Sequence, residues 1–240
     1  VVDVEAIHAA RGFVRRSLAA GLKQALLAGY HSNRSNAAYA TDTTAIGHRI
    51  LKNLCLDYLM ELDEPELHRL CAQQFDSADN MTDVLAALNS VINLDCAERA
   101  RMLGDFLDRW RHDALVMDKW FAIQATSALA DTRTIEALMR HAAFEFTNPN
   151  KVRALIGSFA RHNPLRFHAV GGEGYQFVAD QIIRLNALNP QISAGLMRAF
   201  SRWRKFDPVR QDLMKTQIAR VMNTAQVSKD VYEVASTILG

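Results

Sequence analysis

The sequence predicts an all-α protein, and three observations support this fold class. Apolar residues recur every three or four positions along the 240-residue chain, as on one face of a helix, and no segment alternates as a half-buried strand does. The 11 glycines and 5 prolines are too few for a turn-rich β-barrel. Every proline follows an acidic or amide residue, which is typical of helix starts because these side chains accept hydrogen bonds from N–H groups of the first turn.

The individual helices follow from the same signals in chain order. A broad apolar stripe from Ile50 to Leu62 marks an early helix, and Trp110 and Trp120 lie on apolar-periodic stretches as core residues. Proline-based starts at Pro149, Pro190 and Pro208 mark three later ones. The predicted helices lie near 3–30, 43–61, 65–76, 80–93, 97–111, 113–129, 132–145, 149–161, 174–188, 190–205, 208–223 and 229–239.

About twelve helices joined by short turns predict a bundle or a stack of helical hairpins. No repeat of fixed period is visible, so the expected architecture is an irregular superhelical array, similar to HEAT or armadillo stacks in shape only. No long linker interrupts the chain, and we therefore expect a single domain over residues 1–240 with one continuous core.

Composition and charge narrow the function classes. The 28 basic and 26 acidic residues give a net charge of +2, which does not indicate a nucleic-acid partner. No apolar run reaches the ~18–20 residues that span a bilayer, and no secretory signal is visible. Cys55, Cys71 and Cys96 are odd in number and lack Cys-x-x-Cys spacing, which predicts reduced core thiols in a cytoplasmic protein. The start at Val1 rather than Met favours a fragment of a longer chain.

Charge is uneven along the chain. The segment Leu196–Arg220 carries +5, and the acidic segment Glu61–Asp83 carries −6. Basic residues alternate with aromatic ones over 198–206, a pattern that can hold a single-stranded nucleic acid. The alternative is a solvated helix face whose aromatic residues turn into the core, and the sequence favours it.

Familiar catalytic and metal-binding motifs are missing. None of the 8 histidines has a second histidine four residues later. His141 and Glu145 would share a helix face, but a third ligand is missing. No metal site is therefore predicted. There is no Gly-x-Ser-x-Gly motif. The glycine loop 171–174 lacks the Lys and Ser/Thr of a phosphate-binding loop and follows no strand, so we interpret it as structural, with glycines that permit positive φ or close backbone approach. A loop that faces a ligand is the alternative.

Four groups of residues carry a family resemblance. In chain order they are Asn80-Met81-Thr82-Asp83; Met117-Asp118-Lys119-Trp120-Phe121 with Gln124-Ala125-Thr126-Ser127; Asn148-Pro149-Asn150 with Val152-Arg153-Ala154-Leu155-Ile156-Gly157 and Phe159; and Phe167-His168-Ala169 with Gly174-Tyr175, Leu185-Asn186 and Asn189-Pro190-Gln191. Together, over essentially the whole chain, they resemble the C-terminal domain of the bacterial aminopeptidase N family, zinc metallopeptidases of the M1 or gluzincin class.

The resemblance implies that catalysis belongs to another domain of a longer protein. In that family the chemistry belongs to an upstream domain with His-Glu-x-x-His and a later Glu as zinc ligands, and this chain has no such motif. The chain would then be a non-catalytic lid over the active-site chamber, with the upstream catalytic domain and the peptide substrate as its partners. The parent enzyme would remove N-terminal residues from peptides, and the fragment alone would bind no zinc and be inactive.

Two residues would contact substrate by the same resemblance. Gln191 matches the glutamine that lines the pocket for the first side chain, and Arg153 matches an arginine that points toward the cavity and could hold peptide carbonyls or a carboxylate. Relatives often carry Arg where this chain has Gly195, and Asp-Gly-Ser-Gly where it has 171–174.

The alternative function is a stand-alone helical scaffold that binds protein partners on a concave face. The two interpretations differ in their surfaces. A domain of a larger enzyme should expose a sizeable apolar area where its neighbour packs, whereas a free scaffold should not.

Overall fold

The computed structural model describes residues 1–35 and 38–240, and within these ranges it is helical and contains no strand. This confirms the predicted all-α class. Short 3₁₀ turns cover Met60–Leu62, Arg198–Phe200 and Trp203–Lys205, and a π-helical segment covers Arg153–Gly157. The α-helices are α1 Val4–Gly21, α2 Lys23–Ser32, α3 Thr43–Leu59, α4 Pro65–Ser77, α5 Met81–Val91, α6 Ala97–Trp110, α7 Ala114–Thr126, α8 Thr132–Met139, α9 Pro149–Val152, α10 Ser158–His162, α11 Pro164–Phe167, α12 Glu173–Asn186, α13 Pro190–Met197, α14 Pro208–Met222 and α15 Lys229–Leu239.

Packing divides the chain into two compact units. The first comprises Ile7–Trp110, and the second comprises Val1–Ala6 together with Arg111–Gly240. One continuous core over 1–240, as expected from the sequence, stays a prediction.

The unit Ile7–Trp110 is built on α2–α6. Helix α3 packs against α2 and α5, and α4 packs against α5 and α6. The guanidinium of Arg15 in α1 forms a 2.8 Å ion pair with Asp57 of α3 and also pairs with Glu61. Fully buried side chains fill the interior, among them Tyr30, Leu56, Leu59, Phe75, Leu88 and Phe106.

The second unit is built on α7 and α12–α15. Helix α12 packs against α13 and α14, and α13 against α15. The buried Asn163 amide donates hydrogen bonds of 2.7–3.2 Å to the carbonyls of Ala125, Ser127 and Ala130, which fixes the turn after α7 to the start of α11. Aromatic side chains fill the core between these helices, among them Phe159, Phe167, Tyr175 and Phe200.

The helix starts predicted from proline are confirmed at three positions. The side chains of Asn148, Asn189 and Asp207 accept hydrogen bonds from first-turn N–H groups, and each is followed by Pro. Glu64 precedes Pro65 but makes no side-chain cap, because its carboxylate pairs with Lys23.

Three predicted helices are interrupted or end well before the expected residue. The first is interrupted at Leu22, between α1 and α2, and the one near 190–205 changes to 3₁₀ turns after Met197. The helix expected over 132–145 ends at Met139, so the prediction that His141 and Glu145 share a helix face is wrong. The reason is tertiary: the His141 ring packs on Trp120 and Phe121, with centroids 5.2 and 5.9 Å away.

The cysteines are free thiols, with Cys55 and Cys71 buried and Cys96 only half-buried. None of the helices within residues 1–35 and 38–240 combines the length and apolar character needed to cross a bilayer.

Candidate functional site

Arg153 lies where a helix changes its hydrogen-bonding pattern. Helices α9 and α10 are joined by the π-helical segment Arg153–Gly157, in which the N–H of Ser158 bonds to the carbonyl of Arg153, five residues earlier. Leu155 and Ile156 of this segment are buried, whereas Arg153 is exposed and its Nη1 donates to Asn150 Oδ1 at 3.2 Å. Such single π turns are frequent at functional sites because the extra residue redirects neighbouring side chains.

A buried lysine fixes the beginning of this helix. The Lys151 ammonium lies 2.8 Å from the Asp118 carboxylate and donates to the Ala114 carbonyl at 2.7 Å. Both partners belong to α7, so the pair holds α9 against α7 and positions the residues that follow. Lys151 carries no signal of this role in the sequence, since a lone lysine in a first helical turn normally indicates solvent exposure.

Gln191 lies in the first turn of α13, directly after Asn189 and Pro190. Asn189 Oδ1 accepts from the Ile192 N–H at 3.1 Å, and Ser193 Oγ donates to the Ile182 carbonyl at 2.8 Å. These bonds fix the start of α13 on α12, while the Gln191 side chain stays exposed. A fixed backbone with an exposed amide suits a residue that binds ligand.

The helices that carry Arg153 and Gln191 contact each other. The Arg161 guanidinium donates to the Gly195 carbonyl at 2.9 Å, and a methyl group built on Gly157 would lie 3.9 Å from Leu196 Cδ2. Arg153 and Gln191 are thus exposed residues on neighbouring helices. No hydrogen bond joins their side chains in the described part of the chain. The contact of Arg161 is not visible in the sequence, because a hydrogen bond to a distant backbone carbonyl leaves no sequence pattern.

Gly195 leaves open space on α13. Apart from its chain neighbours and the backbone of its own helix, a Cβ at this position would meet no atom of the described residues within 4 Å. A Cβ therefore fits at this position without displacing a neighbour.

The glycine loop 171–174 is explained by packing. Gly172 has a φ of +78°, and a Cβ on Gly174 would lie 2.4 Å from the Phe167 carbonyl oxygen. Both positions thus require glycine, which agrees with the structural interpretation of this loop.

His168 packs beside this loop. Its ring stacks on Phe206 with centroids 4.1 Å apart, and its Nδ1 lies 2.9 Å from the Tyr175 hydroxyl. Burial, together with the charge of Arg210, lowers the pKa of His168 to about 4. The ring is therefore neutral near pH 7, and we assign it a structural role.

The basic stretch 198–206 turns its aromatic residues inward. Phe200, Trp203 and Phe206 are buried, and Trp203 Nε1 donates to the Ile238 carbonyl at 2.9 Å. Arg204 bonds to the carbonyls of Ile238 and Leu239. The prediction that these aromatic side chains belong to the core is therefore confirmed. Stacking on nucleic-acid bases requires exposed rings, so the buried rings count against the nucleic-acid alternative.

The unit Ile7–Trp110 exposes several apolar side chains on α1 and α3. On α3, Ile46, Ile50 and Leu54 follow at intervals of four and share one helix face, and Ile50 and Leu54 are 62% and 48% exposed. Arg15 of α1 ion-pairs with Asp57, which continues the same face one turn later. We call the exposed apolar residues of these two helices, together with Leu22 directly after α1, the α1/α3 apolar set; its members are Ile7, Phe13, Val14, Leu18, Leu22, Ile46, Ile50, Leu51 and Leu54.

The whole chain, residues 1–240, matches the family described as "Domain of unknown function (DUF3458_C) ARM repeats". It is similar to aminopeptidase N of Haemophilus influenzae, with 42% identity over 233 residues, 97% of this chain and 26% of that protein. Aminopeptidase N of Caulobacter vibrioides is 37% identical over 239 residues, 99% of this chain and 28% of that protein. The Escherichia coli K12 aminopeptidase N is 36% identical over 234 residues, 97% and 27% respectively.

A solved structure agrees with these relatives. The crystal structure of Legionella pneumophila aminopeptidase A in complex with aspartic acid superposes with a TM-score of 0.89 and 33% identity, covering 99% of this chain and 29% of that chain. The resemblance to the aminopeptidase N family and the armadillo-like stack are thereby confirmed. The chain spans only about a quarter of the length of the curated relatives it matches.

Proposed function

Because the chain belongs to the DUF3458_C family of ARM-repeat domains, we propose that it is the C-terminal lid domain of a longer, zinc-dependent M1 aminopeptidase N. One observation carries the proposal: the match covers nearly all of this chain but about a quarter of each aminopeptidase N relative. The remaining length accommodates a catalytic domain with the His-Glu-x-x-His motif that this sequence lacks.

In this proposal the whole protein releases N-terminal amino acids from peptides, and this domain acts without catalysing. It covers the active-site chamber, so that small peptides enter and folded proteins do not. Exclusion of bulk water strengthens the electrostatic interactions around the zinc-bound water of the other domain. The Legionella relative was crystallised with aspartic acid, a free amino acid, which is the kind of product this reaction yields.

The α1/α3 apolar set supports the proposal that another domain of the longer chain packs against this one. Side chains such as Ile50 and Leu54 remain well exposed, and exposed apolar residues that share a helix face mark interaction surfaces. The rest of the longer chain is the occupant we propose. A stand-alone scaffold does not require this exposure, so the observation favours a domain of the enzyme over the scaffold alternative. A cytoplasmic location, as the reduced cysteines suggest, is part of the same proposal.

Gln191 and Arg153 are the substrate-binding residues in this proposal. Both are exposed on helices that contact each other through Arg161 and Gly195. The Gln191 amide would contact the first side chain of the peptide, and the Arg153 guanidinium would hold peptide carbonyls or a C-terminal carboxylate.

The test is Gln191→Ala in the full-length enzyme. We expect the ratios of kcat/KM among peptides that differ in their first residue to change by about tenfold, or about 1.4 kcal/mol, because the substitution removes one hydrogen-bonding group from the pocket. The zinc chemistry should persist, so at least one substrate should keep its kcat.

The matched control is Gln176→Ala, an exposed glutamine of α12, which should leave every ratio unchanged. An unaltered substrate profile in Gln191→Ala would remove Gln191 from the pocket. Absence of aminopeptidase activity from the full-length protein would overturn the proposed function itself. That result would favour the scaffold alternative.

A further inference from the structure

Three side chains that can bind a metal ion lie together in the unit Ile7–Trp110. A ring nitrogen of His68, the Cys96 sulfur and a Glu98 carboxylate oxygen are all within 4.8 Å of one another. His68 belongs to α4, Cys96 directly precedes α6, and Glu98 lies in the first turn of α6. The packing of α4 against α6 therefore assembles the cluster.

We propose that His68, Cys96 and Glu98 form a binding site for a divalent transition-metal ion of the zinc type, with one coordination position open to water. The ligand chemistry carries this assignment. Imidazole and thiolate select zinc-like ions over magnesium or calcium, which prefer oxygen ligands throughout. Three protein ligands with an open fourth position is a common arrangement for zinc.

The geometry requires only a small adjustment. Zinc bonds of about 2.0–2.3 Å place the ligand atoms of a tetrahedral site about 3.3–3.8 Å apart. The separations of up to 4.8 Å thus need to shorten by about 1.5 Å at most. Cys96 and Glu98 are half-buried and can rotate toward an ion, whereas the buried His68 is already fixed by its surroundings.

Asp63 supplies a supporting contact. Its Oδ1 lies 2.9 Å from Nε2 of His68, and a carboxylate that binds the ring of a metal-ligating histidine orients the ring and raises its basicity. His68 also belongs to the acidic segment Glu61–Asp83, whose charge of −6 favours an approaching cation.

Cys96 directly precedes α6, whose first-turn backbone N–H groups include those of Glu98 and Arg99. Serine at this position would provide an acceptor for those N–H groups, since it is a favoured helix N-cap, while it would be a poor zinc ligand. Cys96→Ser therefore separates metal binding from folding.

The experiment is a Co²⁺ titration of the full-length protein, monitored by the thiolate-to-cobalt charge-transfer absorption in the near ultraviolet. We expect a saturable band with one equivalent of Co²⁺. Cys96→Ser should abolish the band, and His68→Gln and Glu98→Gln should each weaken Co²⁺ binding at least tenfold. The matched control Cys55→Ala should keep the band, because that buried thiol lies outside the cluster.

Absence of the band, or a band that survives Cys96→Ser, would overturn the site. A band insensitive to both His68→Gln and Glu98→Gln would show binding to a lone thiol and would overturn it as well. The proposed catalytic zinc site uses histidine and glutamate ligands outside this chain and gives no thiolate absorption. Failure of the metal proposal and failure of the aminopeptidase proposal are therefore separate results.

Discussion

At the scale of single residues, His168 shows how burial sets a charge state. Its ring stacks on Phe206 and bonds to Tyr175, and the guanidinium of Arg210 donates to the His168 carbonyl at 2.8 Å. A second positive charge beside Arg210 is unfavourable, and little water reaches the ring. Both effects favour the neutral form, with burial as the larger cause.

This environment predicts a pH dependence of stability. The pKa of His168 is about 4 in the folded protein, and it is about 6.5 in an unfolded chain. Between these values only the unfolded state takes up the proton, so stability is full above pH ~6.5 and falls as the pH drops toward ~4. We expect the free energy of unfolding to decrease by about 2 kcal/mol from pH 7.5 to 5 through this group.

Urea unfolding at pH 7.5 and pH 5 measures the effect. His168→Gln should show a smaller loss of stability between the two pH values than the native protein. The exposed His162 of α10 provides the control, and His162→Gln should behave as the native protein does. An identical pH dependence in His168→Gln and the native chain would contradict the assignment.

At the scale of the element, helix α13 has a capped N-terminus and a glycine with open space near its C-terminal end. Asn189 caps its first turn, while Gly195, two residues before its last residue, has open space where a Cβ would be. The open position lowers the stability of the helix, and it gives the surface beside Arg161 a shape that a side chain would change.

Gly195→Ala should therefore stabilise the protein. The gain should be up to about 1 kcal/mol, because alanine favours helix and restricts the unfolded chain. A thermal melt should show Tm raised by about 2–4 °C.

Gly174→Ala is the contrasting change in the neighbouring helix. Its Cβ would lie 2.4 Å from the Phe167 carbonyl oxygen, so the backbone must shift, and we expect a loss of more than about 2 kcal/mol. Equal effects of the two substitutions would show that local space does not decide their outcome.

At the scale of the whole molecule, the α1/α3 apolar set raises the question of what covers it. Side chains that are about half exposed add little to the core of their own unit, so their apolar character points to an interface. In the proposed function the rest of the enzyme covers them. When the 240-residue chain is produced alone, this set is the surface through which it should self-associate.

Sedimentation velocity checks this expectation. The native chain should form dimers or larger species, and Ile50→Lys combined with Leu54→Lys should shift it toward monomer without lowering Tm. Leu188→Lys, at a 57% exposed leucine of the other unit, should leave the association unchanged. A native chain that is already monomeric would count against the interface.

The sequence by itself determined the helical class, the proline-marked starts and the glycine positions. These features depend on interactions within a few residues: Asn189 caps the turn that follows it, and Gly172 needs a backbone angle that other residues avoid. The family resemblance, and with it Gln191 and Arg153, also came from the sequence, since it depends on the order of short motifs.

Only the tertiary structure decided the rest, because those features join residues that are far apart in the chain. Helix α8 ends at Met139 since the His141 ring packs on α7. The cluster of His68, Cys96 and Glu98 exists because α4 and α6 pack together. The apolar periodicity identified the stripe of α3. Apolar residues have the same spacing whether they are buried in the core or exposed for binding to another domain. The difference lies in what packs against each face.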